Sequence, residues 1–236
     1  MRMMAPSRRE GAIKMGGRFK RVSTGALLVI AGVTAFAAFT GGAAAGERVA
    51  YGGPANVREP AVYVAVGEAT RAPIGWVEFC IRYKPECDTK PAAAHDVVLT
   101  PKAWSDMVKV NAWANDNIAP ITDLEHWGVV EQWDYPDDGK GDCEDYVLLK
   151  RRMLMQAGWP REALLITVVR DKKGDGHAVL TVKTNRGEFI LDNQEAEILS
   201  WNKTGYKFVK RQSQSDPNVW VALGEPQRAP ATVSAR

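Results

Sequence analysis

Three residues of this chain have types and spacings that together could break an acyl bond: Cys143, His177 and Asp192. The 236 residues hold only 3 Cys and 3 His. Cys80 and Cys87 lie seven positions apart, which in an oxidising compartment closes a small disulfide loop, and a metal site there lacks neighbouring ligands. Cys143 is then a spare thiol, either a packed small hydrophobe or a reactive group. Its placement favours reactivity. Asp142 stands as the N-cap of a predicted helix over 143–157, with Asp145 in the capping-box position. The sulfur therefore falls in a first helical turn, where free N–H groups and the helix dipole favour a thiolate. A thiolate nucleophile needs a general base, and the base needs a group that orients it.

A predicted hairpin supplies both. Strands over 177–184 and 188–192 flank the turn residues Asn185, Arg186 and Gly187. If Asn185 and Arg186 form a two-residue turn, Thr184 pairs with Gly187 and Val179 with Asp192. His177 and Asp192 then share a sheet face as diagonal neighbours, about 7–8 Å apart by backbone. A one-residue slip would send them to opposite faces. A histidine opening a strand and an Asp-Asn turn are also ordinary structural features, so spacing alone allows the triad without requiring it.

The other elements follow from the same signals. Thr100 caps and Pro101 starts a helix whose one face carries Trp104, Met107, Asn111, Asn115 and Ile118. Two asparagines on an apolar face satisfy buried backbone or line a cleft. Residues 119–141 read as a long loop rich in Gly, Pro, Trp and His, a length that points to function. Gly158 and Pro160 end the second helix. Residues 164–169, 206–209 and 219–223 read as further strands, and 171–176 as a hairpin turn that only partly matches a calcium loop. Helices followed by antiparallel strands make one α+β domain over 76–223, with the nucleophile helix packed on the sheet.

Charge and hydropathy divide the chain. Residues 1–21 hold seven of the 31 basic residues and one of the 28 acidic ones, so the net charge of +3 becomes −3 once they are removed. An apolar run over 25–39 and an Ala-Ala-Ala site at 43–45 follow. This is the order of a cleavable secretory signal over 1–45, with an uncleaved anchor as the alternative. An acidic mature chain with no basic, aromatic-interleaved patch loses the main support for nucleic-acid binding. Residues 46–75 read as an extended arm or short strands and 224–236 as a frayed tail.

The string Trp127-Gly128, Trp133-x-x-Pro136, Gly141-Asp142-Cys143-Glu144-Asp145-Tyr146, Lys150, Gly158, His177-Ala178-Val179-Leu180 and Leu191-Asp192-Asn193 resembles the bacterial transglutaminase-like cysteine proteinases. The resemblance runs from about Phe79 to Trp220. It implies a papain/transglutaminase-like fold, export to the periplasm, and Cys143 as nucleophile, His177 as general base and then acid, and Asp192 as orienting group. The LapG-type branch of that family releases large biofilm adhesins from the cell surface, which implies a protein substrate. That branch is also calcium-dependent through acids beside the nucleophile, matching Asp142 and Glu144.

The residues give an independent reason for a cation. Asp142, Glu144 and Asp145 place three carboxylates beside a thiol that must ionise, and like charge raises a thiol pKa. Bound Ca²⁺ on these three would cancel that repulsion, although acids in a first turn are also ordinary helix chemistry. For the oxyanion, the Cys143 N–H is one donor, and Gln132, Trp133 or Trp127 supplies the second. The expected function is an exported thiol endopeptidase. The alternatives are a cell-wall amidase or transglutaminase-type acyl transferase, and a non-catalytic calcium-binding module. An inhibitory membrane receptor is a further candidate partner.

Overall fold

The computed structural model describes residues 61–224. The expected signal, the first part of the arm and the tail beyond 224 lie outside the described residues. In chain order the elements are β1 (Val66–Thr70), α1 (Ile74–Arg82), α2 (Lys84–Cys87), α3 (Pro101–Asn117), β2 (Ala119–Pro120), α4 (Asp123–His126), β3 (Lys140–Gly141), α5 (Cys143–Gln156), β4 (Leu164–Arg170), β5 (Gly176–Thr184), β6 (Gly187–Leu191), β7 (Leu199–Ser200), β8 (Lys207–Gln212) and β9 (Trp220–Leu223). The architecture is α+β. Seven strands form one antiparallel sheet in the order β1-β9-β8-β4-β5-β6-β7.

The central strands β4 and β5 are buried along almost their whole length. Their alternation divides the core in two. Leu164, Ile166, Val168, Ala178, Leu180 and Val182 pack with Val147, Leu148 and Leu154 of α5 and with Met107 of α3. Val169, Val179, Ile190 and Phe208 form a second cluster with Val64. The larger cluster also holds Trp76, Phe79, Trp133 and Trp220, packed edge to face or stacked, and it holds Cys143.

Several expectations hold locally. Thr100 accepts from the Ala103 N–H (3.1 Å) with Pro101 in the first turn of α3. Cys80 and Cys87 are joined as a disulfide. The turn over 171–176 is a hairpin connection in which Asp171 Oδ1 accepts from the N–H groups of Lys173 and Asp175. The β5–β6 register pairs Thr184 with Gly187 and Leu180 with Leu191, the two-residue-turn alignment that brings His177 and Asp192 to one side.

Three expectations are corrected. Residues 119–141 are not one structureless loop: β2 and β3 pair in parallel, and Thr122 and Glu125 close a capping box on α4. α1 begins at Ile74, inside the stretch read as an arm or short strands, and continues as a helix to Arg82. Asp142 occupies the N-cap position of α5 but its carboxylate makes no cap bond, and Asp145 accepts from the Asp134 N–H (2.7 Å) instead of closing a capping box. β1, within the same 46–75 stretch, is the edge strand beside β9, as the short-strand alternative had it.

Candidate active site

α5 carries the thiol to the sheet. Ala178, the residue after His177 in β5, donates its N–H to Cys143 Sγ at 3.3 Å. The imidazole is held from the hairpin: His177 Nε2 donates to Asp192 Oδ1 at 2.8 Å, and both side chains are buried. An ionised carboxylate only accepts, so Nε2 carries the proton and Nδ1 presents the lone pair in the neutral ring. The Gln194 amide reaches that Nδ1 at 3.5 Å. The structure thus brings His177 and Asp192 into a hydrogen bond and Cys143 against the strand beside them. The thiol's own hydrogen bonds run to Glu144 and Ala178 rather than to the imidazole.

Asp192 is itself well fixed. Tyr206 donates its hydroxyl to Oδ2 (2.6 Å), the Gln194 N–H donates to Oδ1 (2.9 Å), and Asn115 of α3 donates to the Asp192 carbonyl (2.9 Å). Asn111 does the same for Ala196. The two asparagines therefore tie the turn after β6 to α3, satisfying buried backbone as one of the two sequence readings had it. Burial raises the Asp192 pKa, but the bonds and charge from His177 outweigh it and leave the carboxyl below its ordinary value. Tyr206 and Gln194 were missed by sequence reasoning. Both lie on the far side of a turn whose shape no local pattern encodes.

The thiol sits in an acidic setting. Cys143 donates to Glu144 Oε2 (3.1 Å), has no solvent-exposed surface, and has its pKa raised well above the ordinary thiol value by burial, then by Glu144 and Asp142. Asp142, Asp145 and Asp123 each offer an oxygen within 4.8 Å of the others, all buried. Neither Asp142 oxygen has a hydrogen-bond partner among the described residues. Burial raises Asp142 to about 7 and Asp145 to about 9. Three buried carboxylates, one of them with both oxygens orphaned, fit a hard divalent cation, which takes several carboxylate and carbonyl oxygens. Of the expected ligand set Asp142, Glu144 and Asp145, the cluster contains Asp142 and Asp145. Glu144 faces the thiol instead. Asp123, from α4, completes the group and is brought there by the β2–β3 pairing and by the bond its carboxylate accepts from the Gln132 N–H. Gly141 leaves room for this arrangement: a Cβ there would lie 2.6 Å from Asp145 Oδ2.

Of the three residues considered as second oxyanion donors, Gln132 gives its backbone N–H to Asp123 and Trp133 its indole N–H to Glu131. Trp127 is half exposed and stacks on His126.

A model of the bacterial transglutaminase-like cysteine proteinase family matches residues 66–228. The chain belongs to this family. It is a cysteine peptidase with a transglutaminase-like α+β fold. Three solved structures of Legionella pneumophila LapG are also similar. LapG itself is 28% identical, with 50% of this chain and 68% of that chain covered and a TM-score of 0.42. The calcium-bound form is 26% identical, covering 56% and 77%, with a TM-score of 0.45. The EGTA-treated form is 26% identical, covering 51% and 70%, with a TM-score of 0.41. No curated protein matches the chain.

One buried charge lies within electrostatic reach of Asp192. Lys150, two turns along α5 from Cys143, is fully buried over the Tyr146 ring, and its ammonium has no hydrogen-bond partner among the described residues. Burial lowers its pKa to about 7, against the opposing pull of Asp192. A base whose folded pKa is depressed binds fewer protons folded than unfolded. The penalty is thus full below about pH 7 and disappears as pH rises towards the unfolded value near 10.5. Lys150→Met should raise unfolding free energy at pH 6 by roughly 1–4 kcal/mol and by almost nothing at pH 10.5. Denaturant melts at the two pH values check this, and a gain independent of pH would contradict it.

Proposed function

We propose that the protein is an exported thiol endopeptidase that cleaves a peptide bond of a cell-surface adhesin, using Cys143, His177 and Asp192. The observation that supports this reading most strongly is the 2.8 Å His177–Asp192 bond placed one residue from the strand N–H that touches Cys143 Sγ. In this reaction His177 Nδ1 takes the thiol proton and the sulfur attacks the scissile carbonyl carbon. The C–N bond breaks, and His177 returns the proton to the leaving amine. Water then enters with His177 as base and hydrolyses the thioester. The Cys143 N–H, at the start of α5, donates to the oxyanion. Asp192 holds the ring with Nε2 protonated, so that Nδ1 is the basic nitrogen. Since Cys143 and His177 have no exposed surface, substrate enters only when the groups covering them move, and Gln194 must leave Nδ1 for the proton transfer.

Calcium on Asp123, Asp142 and Asp145 belongs to the same proposal. A bound ion would supply positive charge that offsets the carboxylates around the thiol, and would fix the start of α5. Export rests on the basic, apolar and small-residue segments over 1–45. The second reading, acyl transfer to another acceptor, shares every one of these groups.

Incubating the chain with adhesin linker polypeptides, with peptidoglycan and with a fluorescent primary amine separates the readings. Cleavage of the linker at a defined bond, absent in Cys143→Ala, is the expected result. Release of peptidoglycan fragments, or amine incorporation without cleavage, would replace the endopeptidase by the alternatives.

A further inference from the structure

A second polar site lies away from the chemistry, at the opposite end of β4. Arg151 follows Cys143 by eight residues on α5 and is only 2% exposed. Its guanidinium lies 5.8 Å from the Trp76 ring, while Nε and Nη2 have no hydrogen-bond partner among the described residues. Burial and the nearby Arg161 push its pKa down to about 9, so it is charged at neutral pH. A buried guanidinium needs acceptors and a counter-charge. Glu86 and Glu162 offset the burial in part, but neither bonds Nε or Nη2. Glu86 bonds Arg161 through Oε2 at 3.2 Å and through its carbonyl at 3.0 Å.

Arg151 instead lines a cavity of about 40 Å³ together with Thr89, Lys90, Arg161, Ser213 and Ser215. The Thr89 hydroxyl is buried without a partner among the described residues. The Ser213 and Ser215 hydroxyls lie 3.0 Å apart. Glu162 is the carboxylate in the lining. With Arg161 matched by Glu86, Lys90 and Arg151 outweigh it, and the wall is net positive. The volume has room for roughly three waters at about 10–15 Å³ each, a size that suits a four-oxygen anion. Leu164 and Leu165 of β4 line the cavity, whereas Val169 at the other end of that strand pairs with His177. At about 3.3 Å per residue the site is on the order of 15 Å from the histidine.

We infer that this cavity binds a small tetrahedral oxyanion of the sulfate or phosphate kind, with Arg151 as its buried anchor and Lys90, Thr89 and the two serines as further donors. The anion bridges α5, the start of β4, the end of β8 and the segment after the disulfide loop. It acts on the stability of that end of the domain and does not depend on the proposed function.

The test is calorimetric titration of the protein with sodium sulfate at constant ionic strength held by chloride. One site should saturate in the wild type. Arg151→Met should abolish binding, and Thr89→Val combined with Lys90→Ala should weaken it at least fivefold. Thr89 is half-buried and Lys90 exposed, so the double variant serves even where Arg151→Met does not fold. Absence of saturable binding to the wild type up to 10 mM sulfate, on the order of the weak end of specific anion binding, overturns the inference. A loss smaller than fivefold in the double variant overturns it equally.

Discussion

Cys143→Ala is expected to remove all cleavage, and His177→Ala to lower kcat by on the order of 10⁴-fold or more. Asp192→Asn should cost about two orders of magnitude less than His177→Ala, because orientation is only part of the barrier and an amide oxygen can still accept from Nε2. The geometry gives that ranking its reason. The Asp192 position is held by Tyr206, by the Gln194 N–H and by Asn115, so the side chain at 192 stays in place when its charge is removed. What the variant loses is the charge that stabilises an imidazolium. Steady-state rates for the three variants on a linker substrate check the order. Equal losses for His177→Ala and Asp192→Asn would show that Asp192 does more than orient, and full activity in Cys143→Ala would end the peptidase mechanism.

The second large effect concerns the carboxylates. Chelation should suppress activity by at least about tenfold and slow alkylation of Cys143, and added calcium should restore both. Charge explains the size. Glu144 and Asp142 both raise the thiol pKa, and one unit of such a shift is a factor of ten in thiolate. Asp142→Asn distinguishes a metal ligand from a helix cap. Since the Asp142 carboxylate makes no cap bond, a purely local role predicts a loss of no more than a few tenths of a kcal/mol and indifference to chelator. Metal ligation predicts a large loss of calcium affinity, recovered only at high calcium. Asp123→Asn should behave as Asp142→Asn does, although Asp123 is 19 positions earlier in the chain. A titration of alkylation rate against free calcium decides between the two. A wild-type rate indifferent to calcium would leave the cluster a set of protonated, buried acids.

Much of the site was legible because its positions are set by short-range rules. Thr184 and Gly187 fix a two-residue turn, and the period-2 rule then carries His177 and Asp192 to one side without any tertiary knowledge. Thr100-Pro101 and the Gly158 stop delimit α3 and α5 for equally local reasons. What escaped depends on distant packing. Asp123 joins Asp142 and Asp145 only because β2 and β3 pair across 19 intervening residues. That same cluster overrides the local capping rule at Asp142 and Asp145, which turn their carboxylates from the helix towards each other and towards the Asp134 N–H. Glu144 went the other way. It was grouped with its neighbours by adjacency, yet in a first helical turn consecutive residues point in different directions, and its carboxylate faces the thiol.

The pH dependence of Cys143 alkylation measures directly the proposed transfer of the thiol proton to His177. Among the described residues Cys143 is the free cysteine, so iodoacetamide uptake reports on it alone. In saturating calcium the wild-type rate should remain above that of an ordinary thiol, with a pKa near 8.5, well below pH 7, because a thiolate–imidazolium pair persists there. His177→Ala should lose that acidic limb and follow an ordinary or raised thiol pKa. Superimposable profiles for wild type and His177→Ala would contradict the account, since the histidine would then play no part in ionising the nucleophile.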